Sequence, residues 1–187
     1  MRYPGLRPCH YLSIIFTGLV MALLGACNRP SESVGPNAKG PSATSVVGQV
    51  IRFGQGGGSE QYRVSGWSHT EAEFTWIEGT SAKLDLPIGS DTGPWTLKVA
   101  MAGLIHPPDL PYQTVEVYAN DKKVAEWQAG NTAELTASIP EVANKAGGKM
   151  TIEFRIPKAA TPKSLGQNED TRVLGACVLW LQLQKTS

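Results

Sequence analysis

Hydrophobic and polar residues alternate with a period of two along much of the chain. In residues 82–86 Ala, Leu and Leu alternate with Lys and Asp, and residues 97–101, 115–117 and 150–156 show the same pattern. This alternation is typical of β-strands with one buried face and one solvated face. Shorter apolar segments predict five further strands, near residues 50–53, 61–65, 73–77, 122–127 and 133–139.

The segments between these strands favour turns and leave little room for helices. Asn120 and Asp121 separate two alternating segments, which predicts a hairpin turn, and only residues 140–147 have room for a short helical turn. The apolar run 172–183 lacks clean alternation and predicts either a central strand covered on both faces or a strand bent at Gly175. The pattern as a whole predicts an all-β protein, an antiparallel β-sandwich of about ten short strands, with a jelly roll as the favoured topology.

The amino terminus has the layout of an exported protein. Residues 1–10 contain two arginines and no acid, and residues 11–24 form an uncharged, largely apolar run. That is the organisation of a secretory signal, and the run is shorter than the roughly 20 apolar residues of a membrane span. Residues 24–27, Leu-Gly-Ala-Cys, resemble the bacterial lipobox, which implies cleavage after Ala26 and lipidation of Cys27.

The lipobox divides the chain into three parts. Residues 1–26 are the predicted signal peptide, residues 27–45 the lipidated cysteine with a flexible linker rich in Pro, Ser, Gly and Asn, and residues 46–187 the β-sandwich. The residue after Cys27 is Asn28 rather than the Asp associated with inner-membrane retention. We therefore expect an outer-membrane lipoprotein anchored by acyl chains, with its domain in the periplasm or at the cell surface.

Charge and cysteine content limit the possible functions. Seventeen Lys and Arg stand against sixteen Asp and Glu without a dense basic cluster, so the chain is not expected to bind nucleic acid. Removal of residues 1–26 takes away two arginines and leaves a formal charge of −1. Of three cysteines, Cys9 is lost with the signal and Cys27 is acylated, so Cys177 is expected to be a buried small residue without a disulfide.

Two short motifs contain residues typical of ligand sites, but for each a structural role without a ligand is favoured. The glycines of residues 54–58 are followed by a predicted strand rather than a helix, so a flexible hairpin connection is favoured over a phosphate loop. On an extended strand His69, Glu71 and Glu73 would share one face and approach the ligand set of a metal. With a single histidine, a solvated loop is the favoured interpretation.

No cofactor, metal or catalytic residue is predicted. The oxygen-rich residues 168–172 do not have the spacing of an EF-hand, so we expect Asp170 to cap a turn or to pair with Arg172 or Arg155. A Gly-x-Ser-x-Gly elbow is absent from the sequence, and spacing alone cannot bring pairs of carboxylates together. A role in binding is favoured, and a small hydrolase or transferase acting on glycans stays an alternative.

Aromatic residues provide the strongest indication of a ligand. Trp67 lies beside glycine and serine near a strand end, and Trp95 lies in a Gly-Pro connection, so both are expected to be exposed, whereas Trp76 and Trp180 are expected in the core. Indole faces stack on the C–H faces of sugar rings while polar neighbours bind hydroxyls. The candidate ligand contacts are Trp67, His69, Glu71, Trp95, Asp170 and Arg172.

Segments in a defined order are similar to a known domain family. They are residues 62–79, 82–87, 113–127, 139–140, 151–157 and 162–183, the last containing Gly166, Asp170, Arg172, Leu174 and Gly175. The chain resembles a jelly-roll accessory domain of unassigned activity in bacterial envelope proteins, often attached to membrane glycosyltransferases or phosphoglycerol-transferase-like proteins. It departs from the family at His69-Thr70 and Glu73-Phe74, where the family has Pro-Glu and a Gly.

The resemblance implies a β-sandwich connected with surface polysaccharide or glycolipid, and supplies no catalytic residues. The leading hypothesis is an envelope lipoprotein whose sandwich binds or organises glycans. One alternative is a lipoprotein that docks on an envelope protein, such as a glycosyltransferase, without affinity for glycans. The second alternative is a small hydrolase or transferase that acts on glycans.

Overall fold

Two antiparallel β-sheets pack face to face in the computed structural model, which describes residues 44–90, 92–141 and 148–186. Sheet I has the strand order β3-β4-β11-β6-β9, with β1 also pairing with β11, and sheet II has the order β2-β5-β10-β7-β8. This confirms the predicted antiparallel sandwich. The strands are β1 (Val50–Arg52), β2 (Arg63–Ser65), β3 (Trp67–Thr70), β4 (Thr75–Glu78), β5 (Ser81–Pro87), β6 (Trp95–Gly103), β7 (Gln113–Ala119), β8 (Lys122–Ala129), β9 (Ala133–Ile139), β10 (Lys149–Arg155) and β11 (Leu174–Lys185), and a short 3-10 helix covers Ser59–Tyr62.

The alternating segments form the main core between the sheets. Leu84 and Leu86 of β5, Ile152 and Phe154 of β10 and Val99 of β6 are at most 1% exposed. Their polar neighbours point to the outer faces, as the period of two requires. The predicted hairpin at Asn120 and Asp121 joins β7 to β8, and both residues have the positive φ of a type I′ turn, 46° and 68°.

A second, smaller hydrophobic cluster lies on the outer face of sheet I. It contains Trp76 of β4, Ala102 of β6 and Cys177 of β11, and Leu165 packs against it. Leu165 belongs to the long connection 157–173 between β10 and β11, so this connection covers part of the outer face. Strand β11 is accordingly buried on both faces in its first half, and its pairing with β4 shifts register between Leu174 and Cys177. The prediction of a central strand covered on both faces is confirmed for the first half of β11.

The glycine-rich residues 54–58 do not form a hairpin connection. They follow β1, which pairs with β11 in sheet I, and lead through the 3-10 helix to β2 in sheet II. The loop also packs closely, because a Cβ added to Gly57 would lie 2.4 Å from the backbone oxygen of Arg52. The prediction of a hairpin was wrong because the sequence pattern does not show which sheet a strand joins.

Cys177 is fully buried, as expected. It is disulfide-bonded, so the expectation that it has no disulfide is wrong. It is the one cysteine among the described residues, and its partner therefore lies outside them. The predicted signal peptide, Cys27 and the linker, except its last two residues, also lie outside the described residues, as does most of the predicted turn 140–147. Within the described part, no helix is long and apolar enough to cross a membrane.

Candidate functional site

Four of the six predicted contact residues meet at one end of sheet I. Asp170 and Arg172 lie in the connection before β11, and His69 and Glu71 lie at the end of β3, about a hundred residues earlier in the chain. Arg172 links the two segments: Nη1 is 2.9 Å from Oγ of Ser68 and 3.4 Å from Nδ1 of His69. The sequence predicted these residues as separate candidates, and the fold brings them together.

Arg172 and Asp170 form the buried end of this polar cluster. Nη2 of Arg172 donates to Oδ2 of Asp170 over 2.6 Å, and Nε lies 3.1 and 3.2 Å from the two carboxylate oxygens. The Arg172 side chain is 18% exposed and that of Asp170 is 7% exposed. The predicted pairing of Asp170 with Arg172 is confirmed, and the pair attaches the connection to β3.

The pKa of Asp170 is lowered from its usual value. The main cause is the hydrogen bond from the Arg172 side chain, which stabilises the carboxylate; burial opposes it, and the backbone N–H of Arg172 adds to the lowering. Asp170 is therefore ionised at neutral pH and committed to an internal partner.

His69 and Glu71 form the exposed end of the cluster. Nε2 of His69 is 2.9 Å from Oε1 of Glu71, and the His69 side chain is 65% exposed. Nδ1 of the ring faces Arg172 and Nε2 faces Glu71, so His69 lies between the two side chains. The pair presents an aromatic edge and a carboxylate to solvent, which suits contact with sugar hydroxyls.

A metal is not supported at this end of the sheet. Strand β3 ends at Thr70, so Glu71 and Glu73 lie in the turn to β4. The side chains of His69, Glu71 and Glu73 therefore do not line one face of a strand. Nowhere in the described residues do three or more His, Cys, Asp or Glu side chains come together in a group able to hold a metal ion.

The exposure predicted for Trp95 is wrong. Its side chain is fully buried in the main core, because β6 begins at Trp95 itself and turns the indole between the sheets. Gly93 lies against it, since a Cβ there would be 2.5 Å from the Trp95 Nε1. Trp95 has no surface with which to contact a ligand.

Trp67 is half-buried and packs against the main core. Its ring centroid is 5.0 Å from that of Phe53 and 6.5 Å from that of Phe154, and its Nε1 donates to the backbone oxygen of Lys83 over 2.9 Å. The Arg63 guanidinium lies 5.8 Å from the ring. The ring of Trp67 and its N–H group are therefore already engaged by other residues of the domain, and a sugar could not stack on the ring or bind the N–H group.

Trp180 is partly exposed, so the prediction that it lies in the core is wrong. Its polar, open surroundings are those that the sequence predicted for Trp67 and Trp95. It is partly exposed and belongs to neither hydrophobic cluster, whereas the other four tryptophans are buried in a cluster or pack against one. Its position on the outer face follows from β11, in which Leu181 and Leu183 are fully buried and Gln182 and Gln184 are partly exposed. This alternation at the end of the run was the available signal, and the apolar residues before Trp180 concealed it.

The outer face around Trp180 is open and polar, and we call it the Trp180 face. Across the strands Trp180 lies opposite Arg52 of β1 and opposite Ala100 of β6, which in turn lies opposite Glu134 of β9. Residues directly opposite each other point to the same face of a sheet. The next two rows of the Trp180 face consist of Val50, Gln182, Lys98 and Thr136, and of Gln184, Thr96 and Ser138.

The sequence matches no model of a known protein family and no curated protein. Among solved structures, it is similar to a CBM36 domain of a multidomain xylanase from the hindgut metagenome of Trinervitermes trinervoides, with 11% identity, 74% of this chain and 97% of that chain covered, and a TM-score of 0.45. It is also similar to the carboxy-terminal CBM6 of the laminarinase LamC from Zobellia galactanivorans, with 9% identity, 73% and 98% coverage and a TM-score of 0.42. A family 6 carbohydrate-binding module from Clostridium cellulolyticum, solved with xylose, has 10% identity, 75% and 98% coverage and a TM-score of 0.42.

Proposed function

We propose that this domain binds glycans on the Trp180 face, with the indole of Trp180 as the platform for a sugar ring. The observation that carries the proposal is the position of Trp180: of five tryptophans, all within the described residues, it alone lies outside both hydrophobic clusters. A partly exposed indole surrounded by hydrogen-bonding side chains is the surface that a sugar requires.

The neighbours of Trp180 suit a flat ligand. Ala100 beside it is small and buried, so no side chain rises next to the ring on that side. Gln182 and Lys98 in the next row offer donors, and Gln182 is held by a 2.9 Å hydrogen bond from Nε2 to the backbone oxygen of Gly48. A sheet face of this kind favours an extended glycan chain lying across the strands.

We infer that the role is binding without catalysis. Four carboxyl groups in the described part have a displaced pKa, and in all four it is lowered: Glu60, Asp85, Glu116 and Asp170. In each group, hydrogen bonds to the ionised form help to lower the pKa. For Asp85 the largest single influence is burial, which raises the pKa, but the hydrogen bonds from Lys149 and Thr151 together with nearby positive charges outweigh it. A general acid in glycoside cleavage requires a raised pKa, so none of these four carboxyl groups suits that role.

The predicted lipid anchor would place the domain at the outer membrane, close to envelope polysaccharide or glycolipid and to any glycosyltransferase partner. Support for the anchor comes from the lipobox at residues 24–27. The acylated sulfur of Cys27 is a thioether, so it cannot at the same time form a disulfide with Cys177. Mass spectrometry of the mature protein under non-reducing conditions distinguishes the two forms.

The test of glycan binding compares Trp180→Ala with Tyr118→Ala in the full chain. Tyr118 is a partly exposed aromatic residue on the outer face of sheet II, so its removal controls for loss of a surface ring. On an array of bacterial and plant polysaccharides, we expect wild type and Tyr118→Ala to bind the same glycans. Trp180→Ala should lose at least about tenfold in affinity, because stacking contributes about 1.4 kcal/mol or more.

Two results would contradict the proposal. One is an unchanged affinity of Trp180→Ala for a glycan that the wild type binds. The other is that the folded wild type binds no glycan, which would favour the alternative of a lipoprotein that docks on an envelope protein.

A further inference from the structure

Arg52 carries a positive charge beside Trp180 that is not neutralised by the described part of the chain. It is exposed, and no side chain in residues 44–90, 92–141 or 148–186 forms an ion pair or hydrogen bond with its guanidinium. The other cation of the Trp180 face, Lys98, lies 3.9 Å from Glu134. The nearest available positive charge for a ligand on Trp180 is therefore Arg52, one strand away.

The row through Trp180 is electrically asymmetric. Arg52 lies on one side of the indole, and Ala100 followed by Glu134 lies on the other. Adjacent strands are about 4.8 Å apart, so the guanidinium can reach the edge of a sugar ring stacked on Trp180. An anionic group on that ring is attracted on the Arg52 side, whereas on the other side Lys98 is already paired with Glu134, and this difference fixes the direction in which the ring lies.

The glycine loop keeps the backbone of Arg52 in place. A Cβ on Gly57 would lie 2.7 Å from the Cβ of Arg52 as well as 2.4 Å from its backbone oxygen, so the loop passes directly against this residue. The backbone of Arg52 also bridges to Gly58 on one side and pairs with Trp180 on the other. The base of the side chain is thus fixed on both sides, while the guanidinium stays exposed.

We propose that the glycan is acidic, with a hexuronic acid ring stacked on Trp180 and its carboxylate paired with Arg52. This proposal rests on the glycan-binding function proposed above. The planar guanidinium matches a carboxylate with two parallel hydrogen bonds, a geometry that an ammonium group cannot provide. The carboxylate of a hexuronate projects from the ring edge, so it can meet Arg52 while the ring face covers the indole.

The test is affinity electrophoresis of the full chain, in which binding is measured as retardation in gels containing polygalacturonate, its methyl ester or dextran sulfate. The variants are Arg52→Gln, Arg52→Lys, Trp180→Ala and the control Lys83→Gln. Lys83 lies on the outer face of sheet II, and its Nζ is 3.7 Å from Glu153. Glu153 is also paired with Arg155 over 2.9 Å, so it still has a cationic partner when Lys83 is replaced. The control therefore removes one positive charge far from Trp180.

We expect the wild type to bind polygalacturonate at least about fivefold more tightly than its methyl ester, with the preference reduced by salt. Arg52→Gln should bind the two equally, Arg52→Lys should recover only part of the preference, and Lys83→Gln should behave as the wild type. Trp180→Ala should lose both polymers.

The results separate this proposal from the proposed function. Equal binding of acid and ester by the wild type, lost in Trp180→Ala, would overturn the acidic specificity and keep glycan binding. Stronger binding to dextran sulfate than to polygalacturonate, or an equal loss in Lys83→Gln, would show general attraction to polyanions and also overturn it. No retardation by any glycan, on the gels or on the array, would overturn both proposals.

Discussion

The pair of Arg172 and Asp170 allows a quantitative test of how the connection 157–173 is attached to sheet I. In Arg172→Met the aliphatic part of the side chain is kept, and the guanidinium that meets Asp170 over 2.6 Å and Ser68 over 2.9 Å is lost. The carboxylate of Asp170, 7% exposed, is then left without its cation. Breaking a buried pair in this way costs about 3–5 kcal/mol, and because the connection can open to admit water we expect about 2–4 kcal/mol.

The same connection provides a matched control. Nζ of Lys163 lies 2.8 Å from Oε2 of Glu169, nearly the distance of the first pair, but the two side chains are 54% and 90% exposed. Lys163→Met should cost less than about 0.5 kcal/mol, because exposed pairs are screened by water. The comparison therefore separates burial from contact distance.

The pH dependence follows from the lowered pKa of Asp170. A carboxyl group with a folded pKa below its unfolded value of about 3.9 stabilises the fold above that value, and this contribution is lost as the pH falls through the folded pKa. Urea unfolding followed by tryptophan fluorescence at pH 7 and pH 3 should show the full difference between wild type and Arg172→Met at pH 7 and a smaller one at pH 3. An equal loss of stability in Lys163→Met and Arg172→Met, or a difference between wild type and Arg172→Met that does not change with pH, would contradict this role of the buried pair.

Three further predictions concern other parts of the chain. Trp95→Ala should cost about 3–5 kcal/mol in urea unfolding because the side chain is fully buried, while Trp180→Ala should cost less than about 1 kcal/mol; equal costs would contradict the assignment of the two indoles. Gly66→Ala should destabilise the domain by more than about 2 kcal/mol, since φ is +78° and the new Cβ would overlap the backbone oxygen of Ser81; a wild-type melting temperature would count against this. Cys27→Ser should move the protein from the membrane to the soluble fraction of cell extracts, and unchanged fractionation would refute lipidation there.

The strand pattern could be predicted because it depends on local alternation. The segments with clean alternation became β5, β6, β7 and β10, and the hairpin at Asn120 and Asp121 has the predicted turn. Strand β3 was missed because the alternation of polar residues around His69 is typical of a solvated loop as well. Whether a strand joins sheet I or sheet II depends on contacts between distant residues, which the sequence pattern does not contain.

The candidate residues divide along the same line. Residue type was enough to select Asp170, Arg172, His69 and Glu71, but their convergence depends on how a long connection packs against β3. Exposure was predicted less well: a Gly-Pro neighbourhood suggested a loop at Trp95, yet β6 begins at that residue and buries it. At Trp180 the apolar neighbours belong to the half of β11 that is covered on both faces, and the open half begins with the tryptophan itself.

The chain passes between the two sheets through very short connections on both sides of the sandwich. Gly66 alone separates β2 in sheet II from β3 in sheet I, and residues 130–132 separate β8 in sheet II from β9 in sheet I. Both lateral edges are therefore joined by the chain itself, and the sheets cannot slide past one another unless strand pairing is first broken. This resistance to shear holds the Trp180 face in a fixed position relative to sheet II, and the connections at both edges limit the ability of the outer strands to pair with a second molecule.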